Sequence, residues 1–223
     1  MNEDTLLFLK DLANNNNREW FAENRSRYDC ARQDVMELTE HLIEKIGEFD
    51  EEVKYLDAKD CLFRIYRDIR FREDKSPYKR HFGTYIAKNG GHRSKYSGYY
   101  IHIEPEGSML AGGIWCPDSA GIKKLRDIID TEHETLREIL NEKKFAKFFG
   151  NDLVKTADAL KTVPRGYSKD HPAAEWLKLK NILVECPIKD SMVNSEKFED
   201  FIVEGCRVLY RFNHWCNEVF FES

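Results

Sequence analysis

Apolar positions recur at three- and four-residue steps near the start of the chain, alternate with polar ones in the middle, and return to helical spacing towards the end. Residues 5–13 read as a short helix, closed by the polar run at 14–17. Trp20, Phe21, Asn24, Tyr28, Ala31, Val35, Leu38, Leu42 and Ile46 then mark one long amphipathic helix that Gly47 stops. A stripe of that length needs a partner surface, and a sheet is the natural one.

The stretch "CLFRIYRDIRF" at 61–71 alternates, which predicts a strand. Phe63, Ile65, Ile69 and Phe71 lie on one face, and Arg64, Tyr66, Asp68 and Arg70 on the other. "FGTYIAK" predicts a second strand, and the Gly90-Gly91 turn leads to a third, "SGYYIHIEP". In the third, Tyr99, Ile101 and Ile103 oppose Tyr100, His102 and Glu104. "GSMLAGGIW" returns through the turn at 105–107, giving an antiparallel meander with one apolar and one polar face.

Pro117 and Asp118, the latter as N-cap, open a helix with Ile122, Leu125, Ile128 and Ile129, and a second helix runs to about Phe149. "VPRGYSKDHP" is a long loop, Pro172 starts a short helix, and "ILVEC" is a buried strand ended by Pro187. Ser195 caps a last helix carrying Phe198, Phe201, Ile202, Val208, Leu209, Phe212 and Trp215. This order predicts one α+β domain over 1–223: helical at 1–50, an antiparallel meander sheet at 58–116, and helices, a loop, one strand and a final helix at 117–223.

Composition narrows the class. Apolar residues make up 41% and charged residues 34%, which is ordinary for a folded globular chain. No apolar run reaches the roughly 20 residues that cross a bilayer, and the first residues lack the pattern of a signal peptide. Six scattered cysteines without a C-x-x-C pair read as reduced thiols, so a cytoplasmic protein with no membrane partner is expected. The net charge is −5, yet residues 64–95 hold ten Lys and Arg against three Asp and Glu. That local excess of +7 leaves −12 for the rest of the chain, a distribution that attracts anions to one region.

Several common chemistries have no support. There is no G-x-x-x-x-G-K-[ST] loop, no G-x-G-x-x-G turn and no G-x-S-x-G elbow. "HETLR" at 133–137 starts like a zinc-protease helix but places Arg137 where the second histidine belongs. "HIE" at 102–104 matches the H-x-E of zinc deaminases, while "WCPD" does not supply their P-C-x-x-C. With seven dispersed histidines no metal is expected, and no cofactor either.

The residues at 64–80 form a candidate constellation. Asp68 between Arg64 and Arg70 can hold an arginine fork in one orientation, and the Pro77-stiffened turn brings Lys75, Tyr78 and Lys79 near that face. A phosphate or carboxylate is the natural guest; a solvated edge with surface ion pairs is the structural alternative. Arg67 falls on the core side and needs either a carboxylate partner or a bulge that turns it outward. His102 and Glu104 share the polar face and could form an acid–base pair beside the arginines, or be structural. Gly112-Gly113 marks a bulge or a close backbone approach. Arg165, Tyr167, Asp170 and His171 lie in a loop that either closes over a site or simply starts a helix.

"RIYRDIRFREDKSPYKRHFG", "GYYIHIEPEGSMLAGGIW" and "PRGYSKDHPAAEWLKLK" together resemble the bacterial and fungal family catalogued as domain of unknown function 2461. The pattern Arg-x-x-Arg-Asp-x-Arg-Phe followed by Lys-x-x-Tyr is met by Arg64, Arg67, Asp68, Arg70, Phe71, Lys75 and Tyr78. The resemblance implies no activity, cofactor or catalytic residue.

The expected function is binding of an anionic small molecule or nucleotide, with hydrolase or transferase chemistry as an extension. Arg64, Arg67, Arg70, Lys75, Lys79 and Arg165 would face the charge, Asp68 would orient the arginines, Tyr78 would donate a hydrogen bond, and His102 with Glu104 would move protons. The alternatives are a non-enzymatic module docking an acidic protein and, against the acidic remainder of the chain, a single-stranded nucleic-acid binder. The oligomeric state is not legible in the sequence.

Overall fold

A computed structural model describes residues 1–70, 73–115 and 118–222. The readings made at Phe71, Cys116 and Pro117 lie outside these residues. In chain order the elements are α1 (Glu3–Asn14), α2 (Arg18–Glu23), α3 (Arg25–Ile46), α4 (Ala58–Cys61), β1 (Phe82–Ile86), β2 (Tyr99–Ile103), β3 (Ser108–Ile114), α5 (Ser119–Asn141), α6 (Lys143–Phe149), α7 (Ala174–Leu177), β4 (Ile182–Ile188), α8 (Asp190–Val193) and α9 (Phe198–Asn217). The strands form a four-stranded antiparallel sheet in the order β1-β2-β3-β4, so the architecture is α+β. Among the described residues no helix is long and apolar enough to cross a membrane.

The chain divides into two compact units, interleaved along the sequence: 1–94, 99–110 and 187–207 make the first, and 95–98, 111–186 and 208–223 the second.

In the first unit, the helix expected as one piece at 20–46 is two. Asn24 ends α2 and begins α3, and its side-chain amide donates to the Trp20 carbonyl at 2.9 Å. An asparagine that bonds its own backbone competes with helix continuation, and the apolar spacing alone does not reveal this. Asn2 and Asn17 cap α1 and α2 by accepting from the amides of Asp4 and Trp20. Phe8, Phe21, Tyr28 and Phe82 then interlock, with Phe8–Tyr28 and Tyr28–Phe82 centroids 6.1 and 6.2 Å apart. The Thr39 and Thr84 hydroxyls meet at 3.2 Å, which sets the apolar face of β1 against α3.

The strand expected at 61–71 is a correction. Among the described residues only isolated bridges form there, Leu62 with Thr84 and Tyr66 with Tyr78. Between them one side advances four residues and the other six, so two residues of the 78–84 side are looped out. The inside–outside alternation survives without a regular ladder: Ile65 is buried, and Arg64, Tyr66, Asp68 and Arg70 are exposed.

In the second unit, Asp118 caps α5 through the Gly121 amide at 2.8 Å, as its sequence position predicts. β4 differs from expectation: it runs through Pro187 to Ile188 and alternates buried and open positions. Proline is tolerated there because β4 is an edge strand. Gly112-Gly113 does mark a close backbone approach. Gly113 has φ +113°, and a Cβ on it would lie 2.0 Å from the Ile182 carbonyl oxygen. The loop before α7 is tied down, with the Tyr167 hydroxyl donating to Asp127 at 2.7 Å. The helix there starts at Ala174, two residues after Pro172, and the His171 ring accepts the Ala173 amide. Back in the first unit, Ser195, expected as the α9 cap, donates its hydroxyl to the Met192 carbonyl.

Candidate functional site

The strongest cluster of chemistry-bearing groups in the first unit sits on the face of β1 and β2 turned away from α3. The register pairs Phe82 with Ile103, Gly83 with His102 and Tyr85 with Tyr100. One step beyond Phe82–Ile103, His81 stands beside Glu104, and the two-residue side-chain period puts His81 on the same face as Gly83 and therefore as His102. Three groups separated by up to 23 positions are thus gathered by antiparallel pairing.

Within the cluster, the His102 Nε2 and Glu104 Oε2 atoms are 2.9 Å apart, and the Tyr100 hydroxyl is 2.9 Å from His102 Nδ1. With Glu104 ionised, His102 Nε2–H donates to the carboxylate and the Tyr100 hydroxyl donates to Nδ1. Burial, with Glu104 adding to it, pushes the Tyr100 phenol up to about 12, in keeping with a hydroxyl that retains its proton. The rings of His81 and His102 approach to 4.2 Å between centroids. Burial, and then the neighbouring His102, Lys79 and Arg80, push His81 down to about 3, so it is neutral near pH 7 and keeps a free lone pair. His102 itself is 8% exposed. Gly83 leaves room for this arrangement: a Cβ there would lie 3.2 Å from both the Tyr100 hydroxyl and the Phe63 ring. Arg80 approaches the second Glu104 oxygen at 3.8 Å, which leaves Oε2 to His102.

The basic residues expected to surround an anion are distributed unevenly. The Arg70 guanidinium forks onto Asp68, with Nε to Oδ1 at 3.0 Å and Nη2 to Oδ2 at 2.6 Å. This is the orienting role read for Asp68, whose carboxyl the fork holds down to about 2. Arg67, half-buried, donates to Asp74 at 2.5 Å and to Ser76 at 2.6 Å, so its requirement for a carboxylate is met within the turn. Lys75 Nζ donates to the Ile69 carbonyl at 3.1 Å. Tyr78 is a core side chain, stacked on Phe21 at 3.9 Å, while its backbone is bracketed by the Asn16 amide. Arg165 is exposed and belongs to the second unit.

Arg64 and Lys79 are different. Neither has an ion-pair partner among the described residues, and the Lys79 ammonium sits 5.2 Å from the Phe63 ring. Burial, and then the nearby Arg64, push Lys79 below the usual lysine range. Lys79 in turn acts on His81, so this cation borders the histidine cluster.

Of the residues proposed from sequence, the fold joins His102 with Glu104, Asp68 with Arg70, and Arg64 with Lys79. His81 was missed. Its alternation with Gly83 was visible, but the register that sets it beside Glu104 was not. Elsewhere in the first unit, a groove of about 350 Å³ runs along α3 and is lined by Glu40, Glu44, Lys54 and Tyr55. It mixes both signs of charge and holds no histidine or cysteine.

No curated relative and no solved structure matches the chain. Residues 4–215 match a family described as "Conserved hypothetical protein (DUF2461)", and since that match spans nearly the whole sequence, the chain belongs to this family.

Proposed function

We propose that the protein binds a phosphorylated or similarly anionic small molecule, a nucleotide included, beside the polar face of β1 and β2, within the cytoplasm. The observation that carries this reading is the pairing of Arg64 with Lys79. The Lys79 amide donates to the Ile65 carbonyl at 2.8 Å, which seats Lys79 opposite the Arg64–Ile65 stretch, and neither cation has an ion-pair partner among the described residues. Holding like charges together costs free energy that an anion recovers, and the partly buried setting of Lys79 strengthens the attraction. Arg67, Arg70 and Lys75 shape the adjacent segment and donate to groups of the chain itself. His102, flanked by Tyr100 and Glu104, supplies a proton carrier for hydrolase or transferase chemistry on the bound molecule.

The test is a calorimetric titration of the chelator-treated chain with pyrophosphate and with ATP at low ionic strength. The expected result is saturable binding that weakens at least about tenfold in Arg64→Ala/Lys79→Ala and with added salt, one charge-assisted contact being worth about 1.5–3 kcal/mol. Equal affinities in the folded double variant would overturn the reading. Binding of an acidic peptide but of neither phosphate compound would favour the docking-module alternative.

A further inference from the structure

We propose that His81, His102 and Glu104 form a binding site for a divalent transition metal such as zinc. Each offers one ligand atom, and these atoms all lie within 4.8 Å of one another. Around a tetrahedral zinc, with bonds of about 2.0–2.1 Å, neighbouring ligands stand about 3.3 Å apart. The Nε2–Oε2 pair at 2.9 Å therefore opens by a few tenths of an ångström, and His81, which is half-buried, closes the remaining gap by turning its side chain. Two imidazoles and one carboxylate select zinc, cobalt, nickel or iron over magnesium and calcium, which prefer oxygen throughout.

The surroundings match what a metal-bound histidine requires. Tyr100 Oη stands 2.9 Å from His102 Nδ1. When Nε2 turns its lone pair to the metal, Nδ1 carries the proton and donates it to the tyrosine oxygen, fixing the ring and its tautomer. Glu104 is anchored as well: its amide is hydrogen-bonded to the Ser108 hydroxyl, and Arg80 faces its other oxygen. Three protein ligands leave coordination positions for water or a ligand oxygen, the arrangement of catalytic and not of closed structural sites. The sequence did not reveal this set because His81 lies 21 positions before His102 and joins it only through strand pairing. The anion binding itself rests on Arg64 and Lys79, which take no part here, whereas a metal held by His102 replaces the proton-carrier role given to that side chain above.

The test uses tag-free full-length chain, stripped with chelator and kept in phosphate-free buffer. Calorimetry with zinc should give one site per chain, and cobalt should produce visible d–d absorption. His81→Ala and Glu104→Gln should each weaken zinc binding at least tenfold, and Tyr100→Phe about tenfold at unchanged stoichiometry. His214→Asn, on α9, should leave binding unchanged. His81 is half-buried and Glu104→Gln is isosteric, so both variants should keep the wild-type circular dichroism. Folded wild-type protein that binds no zinc, or folded His81→Ala and Glu104→Gln proteins that bind it with wild-type affinity, would overturn the proposal. Because pyrophosphate binding is measured without metal and zinc binding without phosphate, either reading can fail alone.

Discussion

Arg70 and Asp68 are two residues apart, and their fork is one of the few side-chain pairings that sequence spacing alone could propose. Its geometry has a direct consequence for titration. The guanidinium stabilises the charged carboxylate, so the Asp68 carboxyl lies at about 2, below its ordinary value. In Arg70→Ala it should return towards the ordinary aspartate value near 3.9. Carboxyl-carbon NMR over an acid titration reads this: an upward move of more than one unit is expected, and an unchanged midpoint would show that the fork does not persist in solution. Because the shift is downward, any ordering that the fork contributes is present above the ordinary carboxylate range and is lost as pH falls through about 2. At this same scale the sequence was least informative about direction. It placed Arg67 on the inner side, which is where it lies, but could not show that Asp74 and Ser76 satisfy it there.

At the level of elements, apolar periodicity located the long helices and all four strands, with β4 running on through Pro187 to Ile188, and missed the short α4 and α8. It failed where side chains bond the backbone, as at Asn24, and where pairing is irregular, as at 61–71. Neither failure leaves a trace in hydrophobic spacing. The reading of Gly112-Gly113 shows the same limit, since a glycine records that something is close but not what. In the second unit the answer includes Asn213 on α9. Its carbonyl oxygen accepts from the Ser97 hydroxyl at 2.8 Å and from the Gly113 amide at 3.1 Å, and its amide donates to the Gly98 carbonyl at 3.0 Å. All of this is buried, so Asn213→Ala strands three polar groups away from water. A loss of about 2–4 kcal/mol in denaturant unfolding is expected, with the midpoint moving and the slope unchanged. A loss under about 0.5 kcal/mol would mean that water takes over these bonds.

For the molecule as a whole, the α+β class and the family were legible from the sequence, and the centre of chemistry was half legible. Tyr100, His102 and Glu104 announce a shared face by simple alternation, because all three lie on one strand or at its end. His81 and the Arg64–Lys79 pair required the tertiary pairing of 62–67 with 77–84, since charge counts do not distinguish cations that serve the turn from cations left facing outward. The positive excess over 64–95 therefore has several uses: Arg67, Arg70 and Lys75 hold the segment's own shape, Arg80 and Lys88 face Glu104 and Glu52, and Lys79, with Arg64 nearby, borders the histidine cluster. We propose that function lies at that border. The most direct measurement is a crystal structure with tungstate, a phosphate mimic located by its anomalous scattering. A peak within hydrogen-bonding reach of Arg64 and Lys79 is predicted, whereas a peak elsewhere on the surface, with none beside these two residues, would contradict it.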